Sequence, residues 1–516
     1  MFRKRRDVFL DERRPYFLYN DTKQHKSIFN SACMVLGTCG DAIGHADKKF
    51  EFNRSGRQIH EIVRKMGGVE KLKPSASLGF PLSDDSILAG ATAMVLLQCK
   101  SEKDSDKAME VHARQLVSTK KGAPGRCYGP GTTMKLSNLE REMEQSGGKI
   151  KDPTFDARGG GCGAAMRCCC IGLCFPIDVK CDSEASLKTS NAVKSLIRVA
   201  VRSSRLTHAH PTGYLGAVCA AFFTALAMQR KHPVQSWGRL LMNVAVPYAM
   251  EFVKSTYGKD APDLKASSYF CEKWNAYLKL RGIANHNENK AIFPSKYDVE
   301  DRDAFYASVS FSGWGGASGH DAPMIAYVSL SLSYLSPPLS CLCTPTLPTI
   351  NENRYDAMLG GGDENWKVLV EKAILHGGDS DSTGILAGSW YGALNGFRGV
   401  PENHYKNVEF FNESMDLGRH LVRISPTSSS SSFDAAEQHL QQVSRKNAPP
   451  MVLALLDQLQ EAVVYTDAGN ISTNRKLWDN YAKEWVRVVI SVLFFQRKQT
   501  LANAGSRSRM GKTYGR

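Results

Sequence analysis

Five long stretches narrow the fold class before any motif is read. SIFNSACMVLGTCGDAIG, DDSILAGATAMVLLQC, TGYLGAVCAAFFTALAMQ, WGRLLMNVAVPYAMEFV and STGILAGSWYGALNGF are rich in Ala, Leu and Met and too long for ordinary strands. No regular succession of β-branched, alternating runs accompanies them, so the pattern predicts an all-α fold. Several of these segments are apolar nearly all round, which places them at the centre of a large helical bundle rather than on its surface.

The chain has 516 residues, enough to bury a sizeable core. Helical periodicity runs from about residue 27 to 424. Two regions read as additions to that core. Residues 328–350, VSLSLSYLSPPLSCLCTPTLPTI, are rich in Ser, Pro and Leu without a clear helical period and read as an inserted loop. PTSSSSSF at 426–433 reads as a flexible linker, followed by segments with helical potential. The expected organisation is a basic N-terminal segment (1–26), a helical domain (27–424) and a linker with a C-terminal helical extension (425–516).

A formal charge of +15 raises the question of a nucleic-acid or membrane partner. Residues 1–26 and 425–516 supply +9 of it, leaving +6 for the long middle. Basicity concentrated at the ends reads as solvated tails, with contact to an anionic surface as the alternative; nucleic-acid binding is not expected. The strongly apolar run VRVVISVLFF falls well short of the roughly 20 residues that span a bilayer, so membrane insertion is not expected. Fourteen cysteines lie mostly inside apolar segments, with no pair of CxxC motifs and nothing resembling a signal peptide at the N-terminus. That pattern points to reduced, buried thiols in a cytoplasmic protein, expected to act as a monomer.

Chemistry enters with two acidic clusters, SDDSILAG at 83–90 and HGGDSDSTGILAG at 376–388. Both put acidic and hydroxyl residues just before the same ILAG string, and each opens an apolar helix, so the two helix starts are expected to face each other. Capping by Ser83 or Ser380, with Asp in the first turn, explains part of the pattern. Capping needs one hydroxyl or carboxylate per helix, however, and here there are four carboxylates. Asp379 and Asp381 would point about 200° apart in a regular helix but can converge in a loop that enters one. Converging carboxylates repel unless a positive charge sits between them. The donors on offer, Ser83, Asp84, Asp85, Asp379, Asp381 and Ser382, are all oxygens, which suit Mg²⁺ or Mn²⁺, and four carboxylates can neutralise two such ions. Zinc is disfavoured: His208 and His210 of HAHP have no nearby cysteine or helical i, i+4 partner and read as hydrogen-bonded loop residues.

Glycine-rich connections surround these clusters. GGGCG at 159–163 precedes a helix-forming segment, where free N–H groups can cradle a phosphate; tight helix packing is an equal rival reading. YGPGTT at 128–133 offers a second backbone cradle, with Thr132 and Thr133 as donors.

Taken in order, GDAIG (40–44), KKFEF (48–52), SDDS (83–86), GGGCGAAMR (159–167), THAHPTGYLGA (207–217), SGWGGASGHDAPMIAY (312–327) and HGGDSDST (376–383) resemble the motifs of the ADP-ribosylglycohydrolase family. The likeness is closest to its arginine-linkage hydrolases, extends to the dinitrogenase reductase-activating glycohydrolases, and spans about residues 27–424. It implies a compact multi-helix domain holding two Mg²⁺ ions, with Ser83, Asp84, Asp85, Asp379, Asp381 and Ser382 as metal ligands. It further implies hydrolysis of ADP-ribose from arginine on a modified protein, with Asp84 or Asp85 serving the attacking water and Glu51 facing the guanidinium leaving group. Gly129, Gly131 and Thr132, with Gly160, Gly161 and Cys162, would take the pyrophosphate. Phe311, Ser312, Gly313, Ala317 and Ser318 would meet the distal ribose or adenine. Two positions depart from the arginine hydrolases: His45 stands where an aromatic residue follows GDALG, and Phe311 replaces a tyrosine before SGWGG. The alternatives kept open are another ADP-ribosyl linkage, such as to serine, and ADP-ribose binding without turnover.

Overall fold

The computed structural model describes residues 23–99, 103, 105–285, 291–295, 297–333 and 363–421. Residues 1–22 of the basic N-terminal segment, the linker and the C-terminal extension lie outside the described residues, as does most of the segment read as an insertion; the last four residues of the N-terminal segment, 23–26, belong to the first helix. Among the described residues there are helices and no strands, in agreement with the all-α expectation; a single antiparallel bridge joins Gly161 and Ser318.

Six helices build and support the site: α1 (Lys23–His45), α2 (Asp84–Gln98), α3 (Pro130–Ser146), α4 (Pro211–Gln229), α5 (Asp321–Ser333) and α6 (Ser380–Asn395). Helix α5 corrects one boundary. It continues through Val328, Ser329 and Leu330, all buried, to Ser333, so the first six residues read as an inserted loop complete a helix instead. Alternating Ser and Leu in VSLSLS hid the helix, yet Ser329 is satisfied within it: its hydroxyl donates to the Ile325 carbonyl at 2.9 Å.

Helix α4 is the central post. His210 caps its start by accepting the Thr212 N–H at 3.1 Å, and Pro211 occupies the first turn, where its missing N–H costs nothing. It is long and apolar enough to cross a membrane by length and composition, but 94% of that apolar window is buried inside the protein. Phe223 at its middle packs against Trp237, Trp274, Tyr327 and Trp390, with ring centroids 5.2 to 6.0 Å apart. Burying one such ring contributes about 2 to 3 kcal/mol. Arg230, in a left-handed conformation just past the helix, donates to the Ala393 and Leu394 carbonyls at the end of α6 and lies over the Phe29 ring of α1.

Glycine decides how α1 and α6 meet. Gly384, Gly388 and Gly392 recur every fourth residue along α6, and a Cβ on them would sit 2.5, 2.1 and 2.3 Å from the carbonyls of Gly40, Leu36 and Ala32 on α1. The two backbones are therefore in contact, a separation that no larger residue permits. This close pairing sets the end of α1, GDAIGH, beside the start of α6, DSDST. The Ser380 hydroxyl donates to the Gly44 carbonyl at 2.8 Å and locks the junction.

The twelve described cysteines are all free thiols, seven of them buried, as expected from their apolar surroundings.

Candidate active site

Three chain segments converge on one buried acidic cluster. Helix α2 starts at Asp84 behind Ser83, whose hydroxyl caps it by accepting the Asp85 N–H at 3.1 Å. Helix α6 starts differently from the sequence reading. Ser380 is not its cap but its first residue, turned toward α1, and Asp379 stands at the cap position with its carboxyl unused for capping. Asp379 outside the helix and Asp381 inside its first turn therefore converge, and their carboxyls touch.

The third contributor, the end of α1, was missed as a source of site carboxylates. Asp41 is fully buried and accepts two N–H groups at the start of α2, that of the cap residue Ser83 to Oδ1 and that of Ser86 to Oδ2, both at 3.1 Å. Its place inside GDAIG was the available signal, but nothing in the spacing linked it to the later clusters. His45 closes the helix, and Ala46, Asp47 and Lys48 then take left-handed backbone angles of φ 42, 53 and 69°. Non-glycine residues pay about 1 to 2 kcal/mol each for that conformation. The turn it makes folds the chain back so that His45 Nδ1 meets Glu51 Oε2 at 2.8 Å, with Asp381 Oδ2 3.6 Å away. His45, Glu51 and Asp381 offer donor atoms that all lie within 4.8 Å of one another.

Electrostatics records the crowding. Burial, reinforced by the charge of Asp381, pushes Asp41, Asp84, Asp85 and Asp379 above the usual carboxylate range. Burial also drives Glu51 up to about 7 against the opposing bond from His45. Asp381 is the exception: burial pushes it up, but bonds from His45 and Asp379 outweigh that and hold it below the ordinary value. Burial pulls His45 down, and its bonds to Asp381 and Glu51 overcome this, raising it to about 10. The benefit of the His45–Glu51 contact is thus unevenly shared. The imidazolium answers to both carboxylates, whereas Glu51 is dominated by its own burial.

One imidazolium does not balance six carboxyls. Asp85 Oδ2, Ser86 Oγ and the Tyr128 hydroxyl are buried here without a hydrogen-bond partner. Hard oxygen donors, excess negative charge and an orphaned carboxylate oxygen together fit a divalent cation such as Mg²⁺.

Of the other expected site residues, Cys162 sits directly on the cluster, its sulfur 3.4 Å from Asp379 Oδ2 and 3.4 Å from the Ser382 hydroxyl. Gly160 and Gly161 are tied to the 312–319 loop: Gly319 N–H donates to Gly160 O at 3.0 Å, and Cys162 N–H donates to Ala317 O at 3.1 Å. That same loop reaches the acids, because Asp379 N–H donates to Gly315 O at 2.8 Å. Ala317 and Ser318 thus border the cluster, with the Ser318 N–H bound to Asp321 at 2.8 Å. The expected helix start behind GGGCG is only a single 3-10 turn, Cys162–Ala164, and the α-helix waits until Cys169. The Cys162 N–H is already committed to Ala317, so this stretch lacks the helix terminus assumed for a phosphate cradle. YGPGTT does open a helix: Gly129 precedes α3 with Pro130 at its first position. Thr132 lies against the Gly163 backbone, whereas Gly129 and Gly131 are exposed. Phe311, Ser312 and Gly313 are exposed as well; Phe311, 74% exposed, meets the Tyr269 ring edge-on and not the acidic cluster. His208 bonds to Thr207 at 2.8 Å and His210 caps α4, so both are the hydrogen-bonded residues the sequence implied.

A family profile described as ADP-ribosylglycohydrolase matches residues 30–430. The chain is 34% identical over 397 residues to ADP-ribosylhydrolase ARH1 of Dictyostelium discoideum, covering 73% of this chain and 89% of that protein. It is 23% identical over 395 residues to ADP-ribosylhydrolase ARH3 of Bos taurus, covering 76% and 90%. A solved structure titled "ADP-ribosylglycohydrolase-related protein complex" overlays 78% of this chain and 99% of its own at 15% identity, with a TM-score of 0.43, too loose an overlap to bear on the site.

Proposed function

This chain belongs to the ADP-ribosylglycohydrolase family, and from that premise we propose that it removes ADP-ribose from arginine on modified proteins in an Mg²⁺-dependent hydrolysis. The observation that carries the reading is the convergence of Asp41, Asp84, Asp85, Asp379 and Asp381 on one buried point. Ser83, Asp84, Asp85, Asp379, Asp381 and Ser382 would hold two Mg²⁺ ions. When bound, such ions polarise and orient the ribose hydroxyls next to the anomeric carbon.

The remaining work falls to the protein's own groups. The Asp84–Asp85 pair takes a proton from water as its oxygen bonds to ribose C1 and the C1–N bond to the guanidine breaks. That proton then goes to the departing nitrogen, so arginine leaves unmodified. Positive charge developing on the ribose is stabilised by the surrounding carboxylates. Glu51, held by His45, faces the leaving group. Thr132 and the Gly160–Cys162 segment would line the approach for the pyrophosphate, and the exposed face of Phe311 offers a stacking surface to adenine.

The His45–Glu51 bond is the one observation favouring a different leaving group, because a Glu51 already paired with an imidazolium is less attractive to a guanidinium and suits a neutral serine oxygen. Comparing ADP-ribosylarginine and ADP-ribosylserine conjugates in one assay, with Asp84→Asn as control, separates the two. Faster release from arginine supports the reading, and equal or faster release from serine replaces it.

A further inference from the structure

The catalytic pair sits at the very start of α2, and the N–H groups there have an unusual set of partners. From Leu82 to Ser86, four of five donate to side-chain oxygens: Leu82 to Glu409, Ser83 to Asp41, Asp85 to Ser83 and Ser86 to Asp41. Three of these acceptors belong to the site or its supporting helix α1. The fourth, Glu409, comes from the connection before the helix Phe411–Leu421 and takes no part in the reaction as described.

Glu409 does not act alone. Arg126 grips it with both terminal nitrogens, one at 2.8 Å, and the same Nη1 donates to the Leu82 carbonyl at 3.0 Å. Leu82, itself buried, is thereby held by both of its backbone polar groups, N–H by Glu409 at 3.3 Å and C=O by Arg126. The pair is largely shielded from solvent, 19% and 20% exposed, and two-pronged guanidinium–carboxylate contacts of this kind fix direction as well as distance. Arg126 also leads into Cys127, which is left-handed at φ 65° with its sulfur 3.9 Å from His45 Nε2, and into Tyr128, whose hydroxyl feels the charge of Asp84.

We propose that Arg126 and Glu409 form a positioning clamp for the hydrolytic pair. By immobilising Leu82 they set the angle at which α2 delivers Asp84 and Asp85 into the acidic cluster, and they tie that angle to the 126–129 connection that leads into α3. Neither residue touches substrate in this scheme; both act through Leu82. The inference rests on the hydrolase reading for its kinetic consequence and on the hydrogen bonds alone for its structural one.

The test uses the full-length protein and three variants. Arg126→Lys keeps the charge but loses the two-pronged grip, and Glu409→Gln keeps the shape but loses one acceptor. Arg239→Lys, in the comparably shielded Arg239–Glu184 pair away from the acids, is the matched control. Two readouts are taken, steady-state release of ADP-ribose and hydrogen–deuterium exchange of the 80–88 segment. The clamp requires kcat to fall roughly 10- to 100-fold in the first two variants, as expected for sub-ångström to ångström misplacement of catalytic groups. KM should stay within about twofold, as expected when ground-state binding is untouched. Exchange at 80–88 should quicken in both and stay unchanged in Arg239→Lys. Unchanged exchange there overturns the proposal whatever the activity, as does a kcat within twofold of wild type or a loss matched by the control. If wild type releases no ADP-ribose, the hydrolase reading fails, and exchange alone decides the clamp.

Discussion

Replacing Asp41 with alanine probes the residue on which the site's assembly turns. Its two carboxylate oxygens accept the Ser83 and Ser86 N–H groups at 3.1 Å each; Ser83 caps α2 and Ser86 lies in its first turn, where no intrahelical carbonyl can serve them. Truncation leaves two donors unpaired at a buried helix start. Each unsatisfied group costs about 1 to 3 kcal/mol, so Asp41→Ala should lose roughly 2 to 6 kcal/mol, less whatever relief follows from removing one buried carboxyl of the crowded cluster. Asparagine retains one oxygen, so Asp41→Asn should lose about half as much. Urea unfolding of the cation-free proteins followed by far-ultraviolet circular dichroism measures both. An Asp41→Ala protein that unfolds within about 0.5 kcal/mol of wild type, or an Asp41→Asn protein less stable than Asp41→Ala, would refute this role for Asp41.

Three further outcomes are expected. Glu51 has a folded value near 7 against 4.5 in the open chain, so its stabilising contribution is complete below about pH 4.5 and is lost as pH rises through 7. Glu51→Gln, which never ionises, should therefore gain on wild type across that window by about 3 kcal/mol, and denaturation at pH 5 and pH 8 without divalent cations reads the difference. Gly388→Ala drives a methyl to 2.1 Å from the Leu36 carbonyl, and separating α1 from α6 should cost at least about 1 to 3 kcal/mol and depress activity with it, checked by thermal unfolding and turnover. Phe311→Ala, at an exposed ring, should leave stability within about 0.5 kcal/mol while weakening ADP-ribose binding roughly 2- to 10-fold, measured by calorimetry.

The helical character of the chain was legible because Ala- and Leu-rich segments such as the one now seen as α4 carry their apolar residues all round, a pattern only a central helix satisfies. The two acidic helix starts were legible for a similar reason, since four carboxylates exceed what capping needs. What lay beyond the sequence was tertiary. Asp41 joins the cluster because glycines on α6 let α1 approach to backbone contact, and no local pattern announces that GDAIG and DSDST will be neighbours. The shared ILAG string does not imply shared packing: Gly388 touches the α1 backbone, whereas Gly90 meets only the side chain of Leu417. Ser380 looked like a cap by residue type, but a better partner, the Gly44 carbonyl, drew it into the interface. GGGCG looked like a helix terminus, but its backbone pairs with the 317–319 segment instead.

In the proposed function, helix starts from distant parts of the chain form one cation-dependent hydrolytic centre. The rate of ADP-ribose release from an arginine conjugate, followed as Mg²⁺ is titrated into metal-stripped protein alongside Asp381→Asn, decides whether such a centre exists. The expected result is a rate that rises from background to saturation in wild type and stays at background in the variant. A rate already full in chelator, or one undiminished by Asp381→Asn, would contradict it.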